Sequence, residues 1–190
     1  VLHDIIQVAM GWTNSHLHQF KMGPTTKDFQ MMPFLTEYDL MEGETDGILE
    51  RHVRLDQVLG EPGHRLFYEY DFGDGWHHTV KLEKVEPWVD GQPDAFCVTG
   101  RRACPPEDVG GVPGYQEALA MLRGEDAGEP GWTRHVLDWL PDDYDPDDFD
   151  ADEVNEMLEQ GILDLSRWHP DLGVMLATGG AQFSPIAALV

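Results

Sequence analysis

The chain has 190 residues, 36 of them Asp or Glu and 12 Lys or Arg, which gives a formal charge of −24. A protein that grips nucleic-acid phosphates or an anionic membrane needs a basic face, so neither kind of binding is expected here. The length suits one domain or a compact pair, and 41% hydrophobic with 10% aromatic residues is enough for a core. Cys97 and Cys104 are too few for a disulfide framework. There is neither a signal-type opening nor an apolar run near the ~20 residues that span a bilayer, so a reduced, cytoplasmic protein is expected.

Leu2, Ile5, Ile6, Ala9 and Met10 recur at helical spacing with Asp4 in the first turn, and predict an amphipathic helix ended by Gly11. The chain opens at Val1 inside this pattern, and an N-terminal piece is expected to be absent. His16, His18, Phe20 and Met22 then alternate with Leu17, Gln19 and Lys21, as a strand requires. A short apolar segment over Phe29 to Phe34 precedes an acidic loop, Glu42 to Glu50. Leu55, Val58 and Leu59 predict a short helix stopped by Gly60 and Pro62. The clearest local signal is a β-hairpin over about residues 66–85. Leu66, Tyr68, Tyr70 and Phe72 alternate before Gly73-Asp74-Gly75, and Trp76, His78, Val80 and Leu82 after it. A three-residue turn places Phe72 opposite Trp76, Tyr70 opposite His78 and Asp71 across from His77.

Beyond Pro87 the density of Gly and Pro predicts a long ordered loop. Helical periodicity returns at Tyr115, Ala118, Leu119 and Leu122, and again at Val136, Trp139 and Leu140. Residues Asp138 to Glu156 hold ten acids in nineteen positions with no base. A last helix is expected from Asp150, which caps it, with Val154, Met157 and Leu158 as its buried stripe. Asp148, Asp150, Asp152 and Glu159 have calcium-loop spacing, but Glu153 occupies the position that needs glycine, and the capped helix explains them better. Residues 166–190 read as a loosely structured tail after a domain at 1–165.

Several ordered motifs together resemble one family. Gly11-Trp12 is followed by His16-Leu17-His18-Gln19-Phe20, and Tyr68-Glu69-Tyr70-Asp71-Phe72-Gly73-Asp74-Gly75-Trp76-His77-His78 comes next. Gly100-Arg101-Arg102-Ala103-Cys104-Pro105-Pro106-Glu107-Asp108 follows, with Gly110-Gly111, Gly114-Tyr115 and a closing Phe149-Asp150 with Val154-Asn155. Over roughly residues 2–160 the chain resembles the plasmid pRiA Orf-three-like family. The resemblance implies an α+β protein carried by plasmids or insertion elements, and implies no established reaction. Two departures stand out. Members usually open with a strand and a Pro-Pro-x-Trp-Arg-Arg segment, which this chain lacks. Many carry a further cysteine after Pro-Pro-Glu-Asp, where Val109 stands here, which weakens a three-cysteine metal site.

Two kinds of chemistry compete. His16, His18 and His78 on the aromatic face, with Asp74 in the turn beside them, offer imidazole and carboxylate ligands to a divalent transition metal such as zinc. Against this, histidines on such a face are usually hydrogen-bonded core residues. The loop around Arg101 and Arg102 combines bidentate anion donors with Glu107 and Asp108 in an acidic molecule. With Asp74 and Trp76 of the adjoining hairpin it forms the candidate binding surface; the competing role for the arginines is an internal staple to the acidic segment. The cysteines read as buried thiols, since a catalytic Cys104 needs a base that the sequence does not tie to it.

The expected fold is α+β, an antiparallel sheet with a central hairpin covered by short helices. The leading functional reading is a non-enzymatic binding or regulatory module associated with mobile elements, with a protein partner or a second copy of the chain. The competing reading is a metal-dependent hydrolase or nuclease using His16, His18, Asp74 and His78. No catalytic residue is assigned.

Overall fold

The computed structural model describes residues 1–23, 32–87, 89–125, 137–138, 140 and 144–168, with the backbone alone from 161. Helix α1 (Leu2–Met10) leads to strand β1 (His18–Met22), and β2 (Met32–Leu35) is followed by α2 (Glu37–Met41). A short β3 (Ile48–Leu49), a 3-10 turn (Glu50–His52) and α3 (Leu55–Val58) come next. The hairpin strands are β4 (Arg65–Tyr70) and β5 (Trp76–Lys81), and the chain closes with α4 (Gly111–Leu122) and α5 (Ala151–Trp168). No helix among the described residues is long and apolar enough to cross a membrane.

The five strands form one sheet in the order β3-β2-β1-β4-β5. The fold is α+β as expected, but the sheet is mixed. β2 and β3 run parallel, Phe34 beside Ile48, while the other pairs are antiparallel. A parallel neighbour needs a crossover to bring the chain back in the same direction, and α2 with the acidic loop after it supplies one. Thr36 caps α2, accepting from the Asp39 amide while the Asp39 carboxylate accepts from the Thr36 amide.

The hairpin register departs from the one expected. Tyr70 pairs with Trp76, Tyr68 with His78 and Leu66 with Val80, and Glu69, not Asp71, faces His77. The turn thus runs over 71–75, two residues longer than a Gly-Asp-Gly connection. Asp71 causes this: its φ is 54°, its amide bonds back to Leu17 O just before β1 at 2.9 Å, and its carbonyl receives the Gly75 amide at 2.6 Å. Its carboxylate oxygen Oδ1 accepts the Gly73 and Asp74 amides at 2.9 and 3.3 Å, an Asx turn that detaches Asp71 from the ladder. A shift of two keeps every side chain on its expected face, but it leaves Phe72 in the turn, half exposed.

One sheet face carries the core, in which Phe20, Phe34, Leu66, Tyr68, Tyr70, Trp76 and Val80 join Ile6, Trp12, Leu59, Val109 and Ala118. Helix α1 covers it and packs along α5. Asp150 Oδ1 caps α5 through the Asp152 and Glu153 amides, at 2.8 and 3.3 Å. Val154 and Leu158 are buried as predicted, while Met157 is exposed. Helix α4 starts four residues before Tyr115 because Pro113 falls in its first turn, where an amide has no helical partner to lose. The segment at Val136 and Trp139, and the tail from 169, lie outside the described residues.

Candidate functional site

The irregular segment before α4 lies over the hairpin turn and the α1–β1 connection, and three contacts fix it there. Glu107 is the first. Its carboxylate accepts hydrogen bonds from the Thr13 hydroxyl and amide, the Ser15 hydroxyl and the Tyr70 hydroxyl. Burial raises its pKa, but these donors outweigh burial and hold it below the usual glutamate value. Tyr70 is fully buried, and burial together with the neighbouring Glu107 charge pushes its hydroxyl up to about 12. The second contact is Trp12, whose Nε1 donates to Pro105 O at 3.0 Å while its ring stacks on Tyr70.

The third contact joins loop to turn. Asp74 Oδ2 accepts the Gly110 amide at 3.1 Å, and Gly111 (φ 65°) packs so closely that a Cβ there would sit 2.2 Å from Asp74 O. Only glycine permits that approach. On its far side the loop is held by the acidic segment. Tyr144 OH donates to Cys104 O at 3.2 Å, the Ala103 amide to Pro146 O, and Asn155 exchanges two hydrogen bonds with the Cys97 backbone.

The candidate binding residues thus divide. Glu107 and Asp74 are engaged inside the molecule, and Trp76 is part of the core floor. Asp108 turns toward His16. Arg101 and Arg102 point outward and are exposed. Arg102 makes a long 3.8 Å ion pair with Asp147, itself exposed, a contact of little strength in water.

The four expected metal ligands also separate. His18 Nε2 lies 3.2 Å from Glu50 Oε2, and its ring stacks on His3. His78 bonds Trp76 O through Nδ1 at 3.1 Å and packs edge-on against Trp12, and burial lowers its pKa. Asp74 is occupied by Gly110. Only His16 belongs to a cluster of metal-ligating side chains among the described residues, and its partners are Asp71 and Asp108. The ligand atoms of these three lie within 4.8 Å of one another. His16 Nε2 stands 3.3 Å from Asp108 Oδ1 and 3.7 Å from Asp71 Oδ2, yet this buried nitrogen makes no hydrogen bond. Alternation along the strand points to His16, but Asp71 escapes such a reading because its side chain reaches this face only through the positive φ at the turn.

The cysteines form no disulfide. Cys104 packs against the core, where burial and the Glu107 charge push its thiol up to about 12, so it is protonated and a poor nucleophile. Burial also raises the Cys97 thiol, which donates to Thr99 O.

Comparison with known proteins gives relatives without an assigned reaction. The chain is 37% identical over 163 residues to the uncharacterized protein y4hQ of Sinorhizobium fredii (strain NBRC 101917 / NGR234), covering 83% of this chain and 76% of that one. The crystal structure of MM3350 from Methanosarcina mazei Go1, a protein of unknown function, is 35% identical with a TM-score of 0.63 over 80% of each chain. Residues 1–153, with the hairpin, the clamped loop and the start of the closing helix, match the plasmid pRiA4b ORF-3-like protein family, and the chain belongs to that family.

Proposed function

We propose that the chain is a cytoplasmic binding module of plasmid or insertion-element biology, whose working surface is the outward side of the Arg101–Arg102 loop and whose partner is a protein presenting carboxylates. The family's plasmid-derived name supports the setting. One observation carries the reading: the loop's carboxylate Glu107 is turned inward and fully used, while the two arginines beside it stay at the surface of a molecule of charge −24. A guanidinium pair on a loop pinned by Glu107, Asp74 and Tyr144 keeps its orientation before binding, which lowers the ordering cost of association. The surrounding acidity repels nucleic acid and other anionic surfaces, so the partner's carboxylates must be matched to the pair.

The experiment compares the wild-type chain with the double variant Arg101→Glu/Arg102→Glu. Both are used to capture partners from an extract of the host cell, and both are titrated with a synthetic Glu-rich peptide and with duplex DNA. The expected result is a protein retained by wild type, displaced by the acidic peptide and lost from the variant, with no DNA binding. Equal retention by both forms, or binding of DNA alone, overturns the proposal.

A further inference from the structure

The second feature at this end of the sheet is independent of the arginines. His16 comes from the α1–β1 connection, Asp71 from the turn that follows β4, and Asp108 from the loop before α4, so three separate segments bring ligand atoms to one point. The Asp71 side chain is nine-tenths buried. Its Oδ1 is spent on the Gly73 and Asp74 amides, which orients the carboxylate and leaves Oδ2 toward His16. His16 Nε2 is buried there without a hydrogen bond. A buried imidazole nitrogen left unbonded beside two carboxylates costs free energy unless something lies between them.

We propose that His16, Asp71 and Asp108 hold one divalent transition cation of the zinc class. The spacing fits. Four-coordinate ligands at about 2.1 Å from an ion lie roughly 3.4 Å from one another, and the two nitrogen–oxygen separations are 3.3 and 3.7 Å. The donor set also discriminates: one imidazole with two carboxylates suits zinc, manganese or cobalt, whereas calcium takes six or more oxygens. The amide bonds to Asp71 Oδ1 are the outer support that such ligands need. Asp108 is half exposed, which leaves the remaining coordination position on the solvent side. Because the three ligands come from three segments, the ion ties the arginine-bearing loop to the hairpin turn, so loading stabilises the loop whether or not Arg101 and Arg102 bind a partner.

The test uses the full chain stripped with a chelator and titrated with Zn2+ by calorimetry and with Co2+ by visible absorption. The expected result is one ion per chain, d–d bands of a low-coordinate cobalt site, and a melting temperature that rises with Zn2+. His16→Ala and Asp108→Asn should each weaken binding by about tenfold or more. His77→Ala, which removes an exposed histidine on the other sheet face, should leave binding unchanged. Asp108→Asn changes a loop surface position and preserves the core, so it reports on ligation even if His16→Ala folds poorly. Absence of saturable binding below about 1 mM, a stoichiometry other than one, or unchanged affinity in Asp108→Asn overturns the site.

Discussion

His3 lies flat against His18, ring centroids 3.6 Å apart and planes 8° from parallel. The His3 ring is fully bonded in its neutral form. Nε2–H donates to Asn14 Oδ1 at 2.8 Å, and Nδ1 accepts from Tyr68 OH at 2.9 Å, while the Tyr68 oxygen receives the Gln7 amide. A second proton would break the Tyr68 bond and set a buried charge beside another imidazole. Burial first and His18 second therefore lower the His3 pKa from 6.5 to about 4. Between those values the unfolded chain binds a proton that the folded chain refuses, so stability is full above pH 6.5 and falls as pH drops toward 4, by ~1.4 kcal/mol per pH unit from this one group. Half-buried His78, whose pKa burial also lowers, contributes with the same sign. Urea denaturation of wild type and His3→Gln at pH 7, 6 and 5 separates them. The variant should show the shallower dependence, and parallel curves would remove His3 as the source.

The face shared by His18, Phe20, Tyr68 and Tyr70 is legible in the sequence because strand alternation has a period of two and survives a register error of two. The register itself is not legible, since it is decided by Asp71 leaving the ladder, and nothing in the alternation distinguishes Asp71 from a paired residue. The site behaves the same way. The motif around Arg101 to Asp108 marks a surface worth attention, but the inward turn of Glu107 depends on Thr13, Ser15 and Tyr70, dozens of positions away and joined to it by no periodicity. His16 is recognisable by its chemistry, whereas its carboxylate partners are set by tertiary structure.

Glu107→Gln should loosen the loop. The amide still accepts from Tyr70 but loses the charge that strengthens its several bonds, so a stability loss of about 1–3 kcal/mol is expected. Because the Glu107 pKa is held below its usual 4.5 in the folded chain, its stabilisation is present above that value and fades as pH falls through the folded pKa. The variant should therefore lose least at low pH. Tyr70 should also ionise more readily than at about 12, visible by ultraviolet titration of tyrosine. An unaltered tyrosine titration with unaltered stability would show that the clamp contributes nothing.

Gly111→Ala tests the loop–turn contact. The new methyl would meet the Asp74 carbonyl at 2.2 Å, between two backbones that cannot yield as a side chain does, and the positive φ adds its own strain. Gly91→Ala is the comparison, with a positive φ of 89° and nothing within 4 Å of the added carbon. The comparison variant should lose about 1–2 kcal/mol from the left-handed conformation alone, and Gly111→Ala distinctly more, read as the difference in urea midpoints. Equal losses would mean that the approach to Asp74 is not tight in solution.

Thiol labelling separates the two cysteines and tests whether Cys104 can serve as a nucleophile. Reaction with a disulfide reagent requires thiolate and access. Cys104 has little of either: it packs against the core, and burial followed by the Glu107 charge raises its thiol to about 12. Cys97 lies nearer the surface and its thiol is raised by burial alone. At pH 8 one thiol per chain, Cys97, should label promptly, with Cys104 following only on denaturation, as the single variants Cys97→Ser and Cys104→Ser would assign. Glu107→Gln should speed Cys104 labelling, because it removes the carboxylate charge that opposes thiolate formation and loosens the loop that covers it. Prompt labelling of Cys104 in the native wild-type chain would contradict its burial and would reopen a role for that thiol in chemistry.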